Sequence, residues 1–439
     1  MAMLVVLASS CFAGTCGDPE FVPLIAPDSL RGWVPVNCGP ATFSLRQAED
    51  GTPFIHCTGQ PTGLLRTERQ YENFILELEW MHELPAGNAG LFVWSDTLPA
   101  LGVPFSRSIE VQVMLTPDNH DEQGRLLYTG QGDVFSIWGA KMTPLRPHPA
   151  GWERCLPSER RTKGAGEWNH YRVVCDRGSL RLSINGAEVS GGDNITPRRG
   201  VICLESEGTP VRFRNIRIAE LPPTTPALSP EQCASFIEGF RSIQAGPGLA
   251  GWLPSEGWAA QDSQMHGVDG SGALATPTSF GDYDLQFDWK WTGTPVERAL
   301  QVFTATGREA HGREGALQTA TVPDAGSRGV LLRGDARGAV ALWCNPCGSG
   351  CLTGVRGDRA LSAEQRAAAM PAARKDAIIG SWNRTLISVR GTRVSVTMNG
   401  AEVVRNAAVP GLAGHGPIVL DGGAGAIAFA NVMVREVNP

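Results

Sequence analysis

Apolar and polar residues alternate with a period of two through much of the chain. Phe74, Leu76, Leu78 and Trp80 are interleaved with Ile75, Glu77 and Glu79, and Ile109, Val111 and Val113 with Glu110 and Gln112. Arg172-Val173-Val174-Cys175, Leu180-Arg181-Leu182-Ser183-Ile184 and Arg393-Val394-Ser395-Val396-Thr397-Met398 follow the same rule. Alternation over four to eight residues predicts strands with one buried face. Asn185-Gly186 and Asn399-Gly400 stand where two-residue hairpin turns require positive φ. Many short strands in about 200 residues predict an all-β architecture, an antiparallel sandwich of jelly-roll type. Two helical exceptions are expected. One covers Glu231 to Ile243; the other runs from Ala363 to Met370, opened by Ser362 and stopped by Pro371.

The pattern occurs twice. Gly32-Trp33 returns as Gly251-Trp252, Trp168-Asn169 as Trp382-Asn383, Ile184-Asn185-Gly186 as Met398-Asn399-Gly400, and Phe213-Arg214-Asn215-Ile216 as Phe429-Ala430-Asn431-Val432. The Tyr71–Trp80 strand has its echo in Tyr283–Trp289. A shared order at nearly constant offset implies a duplicated domain rather than a solenoid, whose period is far shorter. Leu221 to Pro230 holds four prolines and reads as a stiff linker. The chain therefore divides into a leading segment 1–19, a first domain 20–220, the linker 221–230 and a second domain 231–439.

Composition narrows the class. Gly (53) and Pro (31) are abundant in 439 residues, which suits turns and opposes long helices. A hydrophobic content of 42% with 19% charged residues supports packed cores and excludes disorder as the main state. The net charge of −6 lacks the basic footprint of a nucleic-acid binder. No apolar run is long enough for a membrane-spanning helix. Met1 to Ala13 is apolar and ends on a small residue, as an export signal does, and Ala8-Ser9-Ser10-Cys11 is a loose lipid-attachment box that would make Cys11 an anchor. Export to the periplasm or the exterior is the resulting expectation. In that setting Cys38–Cys57 and Cys175–Cys203 are plausible pairs among the 11 cysteines. Cys344, Cys347 and Cys351 have C-x2-C-x3-C spacing without an evident fourth ligand; this reads as local disulfide or buried thiols before it reads as a metal site.

The polar faces carry the candidate chemistry. Glu77 and Glu79 share one face, Glu110 and Gln112 another, and Asn88, Gly90, Phe92 and Trp94 a third; Glu205 follows Ile202-Cys203-Leu204 on a fourth strand. Gathered on one sheet, such groups suit a saccharide: acids and amides bond hydroxyls, an indole stacks on the C–H face of a pyranose, and paired carboxylates serve as acid and base. An ordinary solvated sheet face has the same residue types. His120 and Arg107, both near the Glu110 strand, are further candidates. G-x-S-x-G, phosphate-loop, H-E-x-x-H and dinucleotide fingerprints are absent from the sequence.

The ordered string Tyr71-x-x-Phe74-x-Leu76-x-x-Glu79-Trp80, Gly87-Asn88-Ala89-Gly90-Leu91-Phe92, Ile109-Glu110-Val111-Gln112-Val113, Glu167-Trp168-Asn169, Gly200–Glu205 and Phe213–Ile216 resembles the 3-keto-disaccharide hydrolase domain. Gly329–Gly334, Ala341–Cys344, Gly380–Asn383 and Gly416–Leu420 resemble a second form of it. The resemblance implies two tandem concanavalin-like jelly rolls in an exported carbohydrate-active hydrolase or lyase that cleaves 3-keto-glycosides. A C3 ketone acidifies the C2 proton, so a base and an enolate stabiliser suffice for elimination at C1. On the matching strands Glu110 is the expected base with Glu79 second. Asn88, Gln112, Arg107, His120 and Glu205 are expected to hold sugar oxygens, with Trp94 stacking and a divalent cation compatible with the enolate. A non-catalytic, lectin-like carbohydrate binder is the alternative. The second copy has Ser327-Arg328-Gly329 in place of the asparagine motif, and is expected to serve in binding or packing.

Overall fold

The computed structural model describes residues 20–243, 246–343 and 345–437. The leading segment with Cys11, and Cys344 of the cysteine cluster, lie outside the described residues. Its regular elements are nearly all strands, arranged as two sandwiches of antiparallel sheets.

In the first sandwich a nine-stranded sheet centres on Phe74–His82, flanked by Asn169–Asp176 and Val211–Glu220. A seven-stranded sheet packs against it in the order Arg154–Cys155, Val134–Ile137, Ser108–Met114, Asn88–Ser95, Val201–Ser206, Gly63–Thr67, Trp33–Val36. The alternation dictates the core. Phe74, Leu76, Leu78 and Trp80 meet Ile109, Val111 and Val113 between the sheets, with Tyr171, Val173 and Phe213. Each such side chain contributes about 1.5–3 kcal/mol by leaving water. The polar residues between them are turned outward. Asn185 and Gly186 both have positive φ, at 47° and 90°, and join Ile184 to Ala187 as the two-residue turn requires.

The second sandwich repeats the plan. Tyr283–Trp291 lies between Asn383–Arg390 and Ile427–Glu436 in an eight-stranded sheet. A four-stranded sheet of Leu274–Phe280, Gly416–Leu420, Ser327–Leu331 and Ala339–Trp343 closes its core. The hairpin Val296–Gln301/Thr319–Asp324 and two short helices, α1 (Thr353–Gly357) and α2 (Ala363–Ala368), are added beside it. The α2 start has the expected capping box, with the Ser362 side chain accepting from Gln365 N.

The expected helix over Glu231 to Ile243 does not form. Only a short turn, Pro230–Gln232, is helical, and the rest runs extended into the strand Arg241–Ser242. Its backbone groups are taken by the first sandwich instead: Arg198 N donates to Gln232 O, Ala234 N to Arg199 O, Thr97 N to Ser235 O, and Ile237 N to Thr97 Oγ1. Gly239, at φ 80°, further opposes a helix. The plausible pairs Cys38–Cys57 and Cys175–Cys203 do not form, and Cys347 and Cys351 follow the free-thiol reading of their cluster. Cys38, Cys57, Cys175, Cys203, Cys347 and Cys351 are all free thiols, most of them buried.

This extended segment, the 231–243 strap, leads into a firm contact between the sandwiches. Val36, Leu64, Phe92, Leu98, Val201 and Cys203 of the first form one buried cluster with Phe240 and Met433. Beside it the fully buried Asp288 carboxylate accepts from Arg384 Nε (2.7 Å), Asn431 Nδ2 (2.6 Å) and the backbone N of Gly102 (2.9 Å) in the first sandwich. Arg384 Nη2 also reaches Pro99 O at 2.8 Å. Asp288→Ala removes the fully buried carboxylate that holds Asn431, the Gly102 backbone and the partly exposed Arg384, and breaking such a pair costs up to about 3–5 kcal/mol. We expect the variant to unfold at clearly lower urea, with the 97–107 loop becoming protease-sensitive; an unchanged midpoint would contradict this reading of the contact.

Candidate functional site

The outward face of the seven-stranded sheet is divided in two. One half, around Phe92 and Cys203, is apolar and covered by the second sandwich. The other half is acidic and opens into a pocket of about 510 Å³. Register explains the gathering. Glu110 lies between Phe92 and Phe135 on neighbouring strands, and Gln112 lies opposite Gly90. Leu204 pairs with Leu91, which brings Glu205 beside Gly90 from the other side. Gly90 has no side chain, and the space above it is filled by carboxylates. A Cβ placed there would lie 2.8 Å from Glu205 Oε2 and 3.0 Å from Glu110 Oε1. Thus two acids that are far apart in sequence converge over one glycine.

A hydrogen-bonded chain supports them. Asn88 Nδ2 donates to Glu207 Oε2, Gln112 Nε2 to Asn88 Oδ1 (3.0 Å), and Arg154 Nη2 to Gln112 Oε1 (3.0 Å). Arg154 Nε reaches the buried Asp133 carboxylate at 2.6 Å, while its guanidinium lies 3.8 Å above the Phe135 ring. Arg154 Nη1 is left without a protein acceptor among the described residues. Phe105, Tyr128, Phe135 and Trp138 form aromatic walls.

The electrostatics follow from crowding acids in a dry place. Burial, then the neighbouring Glu207, pushes Glu110 from an ordinary 4.5 to about 8. Glu205, 1% exposed and with an unpartnered Oε2, is held well above the carboxylate range by burial, Glu110 and Glu207. Burial raises Glu207 as well, while neighbouring Glu205 and the Asn88 hydrogen bond pull it back. Asp133 too is raised by burial despite its Arg154 partner. A carboxyl group whose proton is held near neutrality, as that of Glu110 is, suits proton transfer.

Of the candidates read from the sequence, Asn88, Glu110, Gln112 and Glu205 come together here. Four do not. Glu79 projects from the other sheet, where Arg214 Nε binds it at 2.6 Å and Asn215 Nδ2 at 3.0 Å; it lines a separate outer cleft with Glu77 and His170. Trp94 points into the core and donates from Nε1 to Glu72 O. The cause is a β-bulge: the register slips between Val201 and Cys203, Trp94 takes φ 54°, and both Val93 and Trp94 turn inward. Arg107 forms a two-pronged pair with Asp96 at 3.0 and 3.1 Å, bracing the loop that carries the strap. His120 is exposed on a small hairpin with Leu126–Tyr128 and does not line the pocket. Among the described residues no group of three or more His, Cys, Asp or Glu is arranged to hold a metal ion. Glu207, Asp133 and Arg154 went unrecognised in the sequence. Glu207 alone had a signal there, since it follows Glu205 by two residues and so shares its face.

The sequence profile of the 3-keto-alpha-glucoside-1,2-lyase-like domain matches residues 20–219 and again 239–435. The chain belongs to this family. No curated protein matches it. Among solved structures, a candidate glycosyl hydrolase from Parabacteroides distasonis ATCC 8503 is 21% identical, with 46% of this chain and 94% of that one covered and a TM-score of 0.33. The carbohydrate-binding module CBM66 from Bacillus subtilis is 12% identical over 43% of this chain and 96% of its own, at a TM-score of 0.29. A β-glucanase from Bacillus licheniformis is 13% identical over 47% and 100%, also at 0.29.

The two 3-keto-alpha-glucoside-1,2-lyase-like copies differ at the site. In the second, Gly329 pairs with Ala341 and Leu331 with Ala339, as Gly90 pairs with Gln112 and Phe92 with Glu110. Alanines therefore stand where the first copy has Gln112 and Glu110. Asp421 takes the place of Glu205, and Ser327 that of Asn88. The face is closed over by Cys351, Met370 and Phe303 packed on Ala341 and Trp343. The acid pair is thus confined to the first copy, and the second presents an apolar, covered surface in its place.

Proposed function

We propose that the first domain cleaves 3-keto-glycosides by elimination, with Glu110 as base and Glu205 as acid. The observation that carries this reading is the convergence of two buried carboxyl groups over Gly90, both with raised affinity for a proton. In its ionised form Glu110 removes the C2 proton that the C3 ketone acidifies. The electron pair forms the C1=C2 bond, the C1–O bond breaks, and Glu205 protonates the departing oxygen, so the aglycone leaves as an alcohol. Arg154, through its unpartnered Nη1, stabilises the enolate oxygen at C3. Asn88 and Gln112 hold ring hydroxyls, and Trp138, half exposed at the rim, covers the apolar sugar face. Water then adds to the unsaturated product to give the free 3-keto sugar. Export of the chain belongs to the same proposal.

Purified protein is to be incubated with a 3-keto-disaccharide and the released sugar followed. Release supports the reading; binding without release would favour a lectin. The pH profile adds a sharper check. kcat/KM is expected to rise with pH through a midpoint near 8, where Glu110 loses its proton. Glu207→Gln removes a neighbouring negative charge, makes the Glu110 carboxylate easier to form, and should move that limb to lower pH. A limb that stays in place, or moves up, would contradict the assignment.

A further inference from the structure

The hairpin and helices added to the second sandwich enclose a pocket of about 450 Å³, remote in the chain from the acid pair. Arg308 and His311 come from the hairpin loop, Arg356 and Arg359 from α1 and the turn after it, and Arg366 from α2. Glu309 is the one carboxylate among the lining residues. None of the four guanidinium groups has a carboxylate within salt-bridge distance among the described residues. Elsewhere in the domain Arg333 pairs with Asp282, Arg384 with Asp288, and Arg390 and Arg435 with Asp284.

Two of the arginines are built in. Arg366 is 5% exposed and anchored by Nη1 to Leu361 O. The Arg356 guanidinium carbon lies 4.1 Å from the centre of the Phe303 ring, and its buried Nε has no acceptor. Gly307, at φ 70°, makes room for it: a Cβ there would meet Arg356 Cγ at 2.8 Å. Positive charge gathered in a recess without counter-charge is unfavourable unless a ligand supplies the anion. Guanidinium groups match planar and tetrahedral oxyanions through paired N–H donors.

We propose that this pocket binds a small polyanion through its oxyanion groups, the chemistry of an acidic sugar bearing carboxylates or sulfate esters. The proposal rests on the carbohydrate reading of the first domain for the sugar scaffold only. The test is calorimetric titration of the full chain with trigalacturonate, with maltotriose as the neutral counterpart and inorganic sulfate as the bare anion. Trigalacturonate should bind at least tenfold more tightly than maltotriose and weaken severalfold between low and moderate salt. Arg308→Ala combined with Arg359→Ala, both exposed positions, should weaken it at least tenfold while leaving the melting temperature and any first-domain turnover unchanged. Glu110→Gln should bind it as the native chain does, so failure of the elimination reading would leave this result intact. Equal binding by the double variant, no binding of trigalacturonate, or binding of sulfate alone would each overturn the proposal.

Discussion

Glu110→Gln is expected to lower turnover of a 3-keto-glycoside by about 10³-fold or more while making the protein more stable. The loss follows from removing the base, since amides cannot accept the C2 proton; a positioned base typically contributes 10²–10⁴-fold. The gain follows from linkage. Glu110 titrates at about 8 in the folded chain against an ordinary 4.5. Between those values the folded state keeps a proton that the unfolded state releases, so stability falls as pH rises through the interval, and the full penalty is present above pH 8. Glutamine has no such penalty. The melting temperature of the first sandwich should rise by roughly 5 °C at pH 8.5 and hardly at all at pH 4, a range consistent with a few kcal/mol in a domain of this size. A variant equally destabilised at both pH values would show that the carboxyl group is structurally needed and not held under electrostatic tension.

Gly90→Ala should cost about 10²-fold in kcat with the fold intact. Gly90 is not in the left-handed region, so alanine meets no backbone strain. The added methyl instead enters the space between the acids, 2.8 Å from Glu205 Oε2, 2.9 Å from Phe92 Cε1 and 3.0 Å from Glu110 Oε1. The two carboxyl groups are flexible at their ends and will move apart. Displacing a reacting group by about 1 Å is enough for such a loss. Alanine is the better strand residue by about 0.5–1 kcal/mol, but the fully buried Phe92 ring must shift as well, and overpacking costs about 1–3 kcal/mol, so a small loss of stability is expected. Unchanged kcat would mean that the spacing over Gly90 is irrelevant to the chemistry.

The sandwich was legible because its alternation is strong and its turns carry Asn-Gly. The same periodicity identified Glu110, Gln112, Asn88 and Glu205 as outward residues, and pairing brought them together. Periodicity names a face, however, and not a sheet. Glu79 satisfies the rule as well as Glu110 does, yet its strand belongs to the opposite sheet. Trp94 was misplaced because one inserted residue reverses the alternation, and nothing in Phe92-Val93-Trp94 announces a bulge. Arg154 sits on a two-residue strand, Arg154–Cys155, too short to show any period. The Glu231–Ile243 strap has helix-like apolar spacing, but its hydrogen-bond partners come from residues more than 30 positions away, which no local reading reports.

Deuterium placement tests the central claim most directly. Cleavage of a 3-keto-disaccharide is to be run in D₂O and the released 3-keto sugar analysed at early times by NMR. Elimination by Glu110 followed by addition of water predicts one solvent deuterium at C2 of the released sugar. Release of a sugar that keeps its original C2 hydrogen would contradict the account.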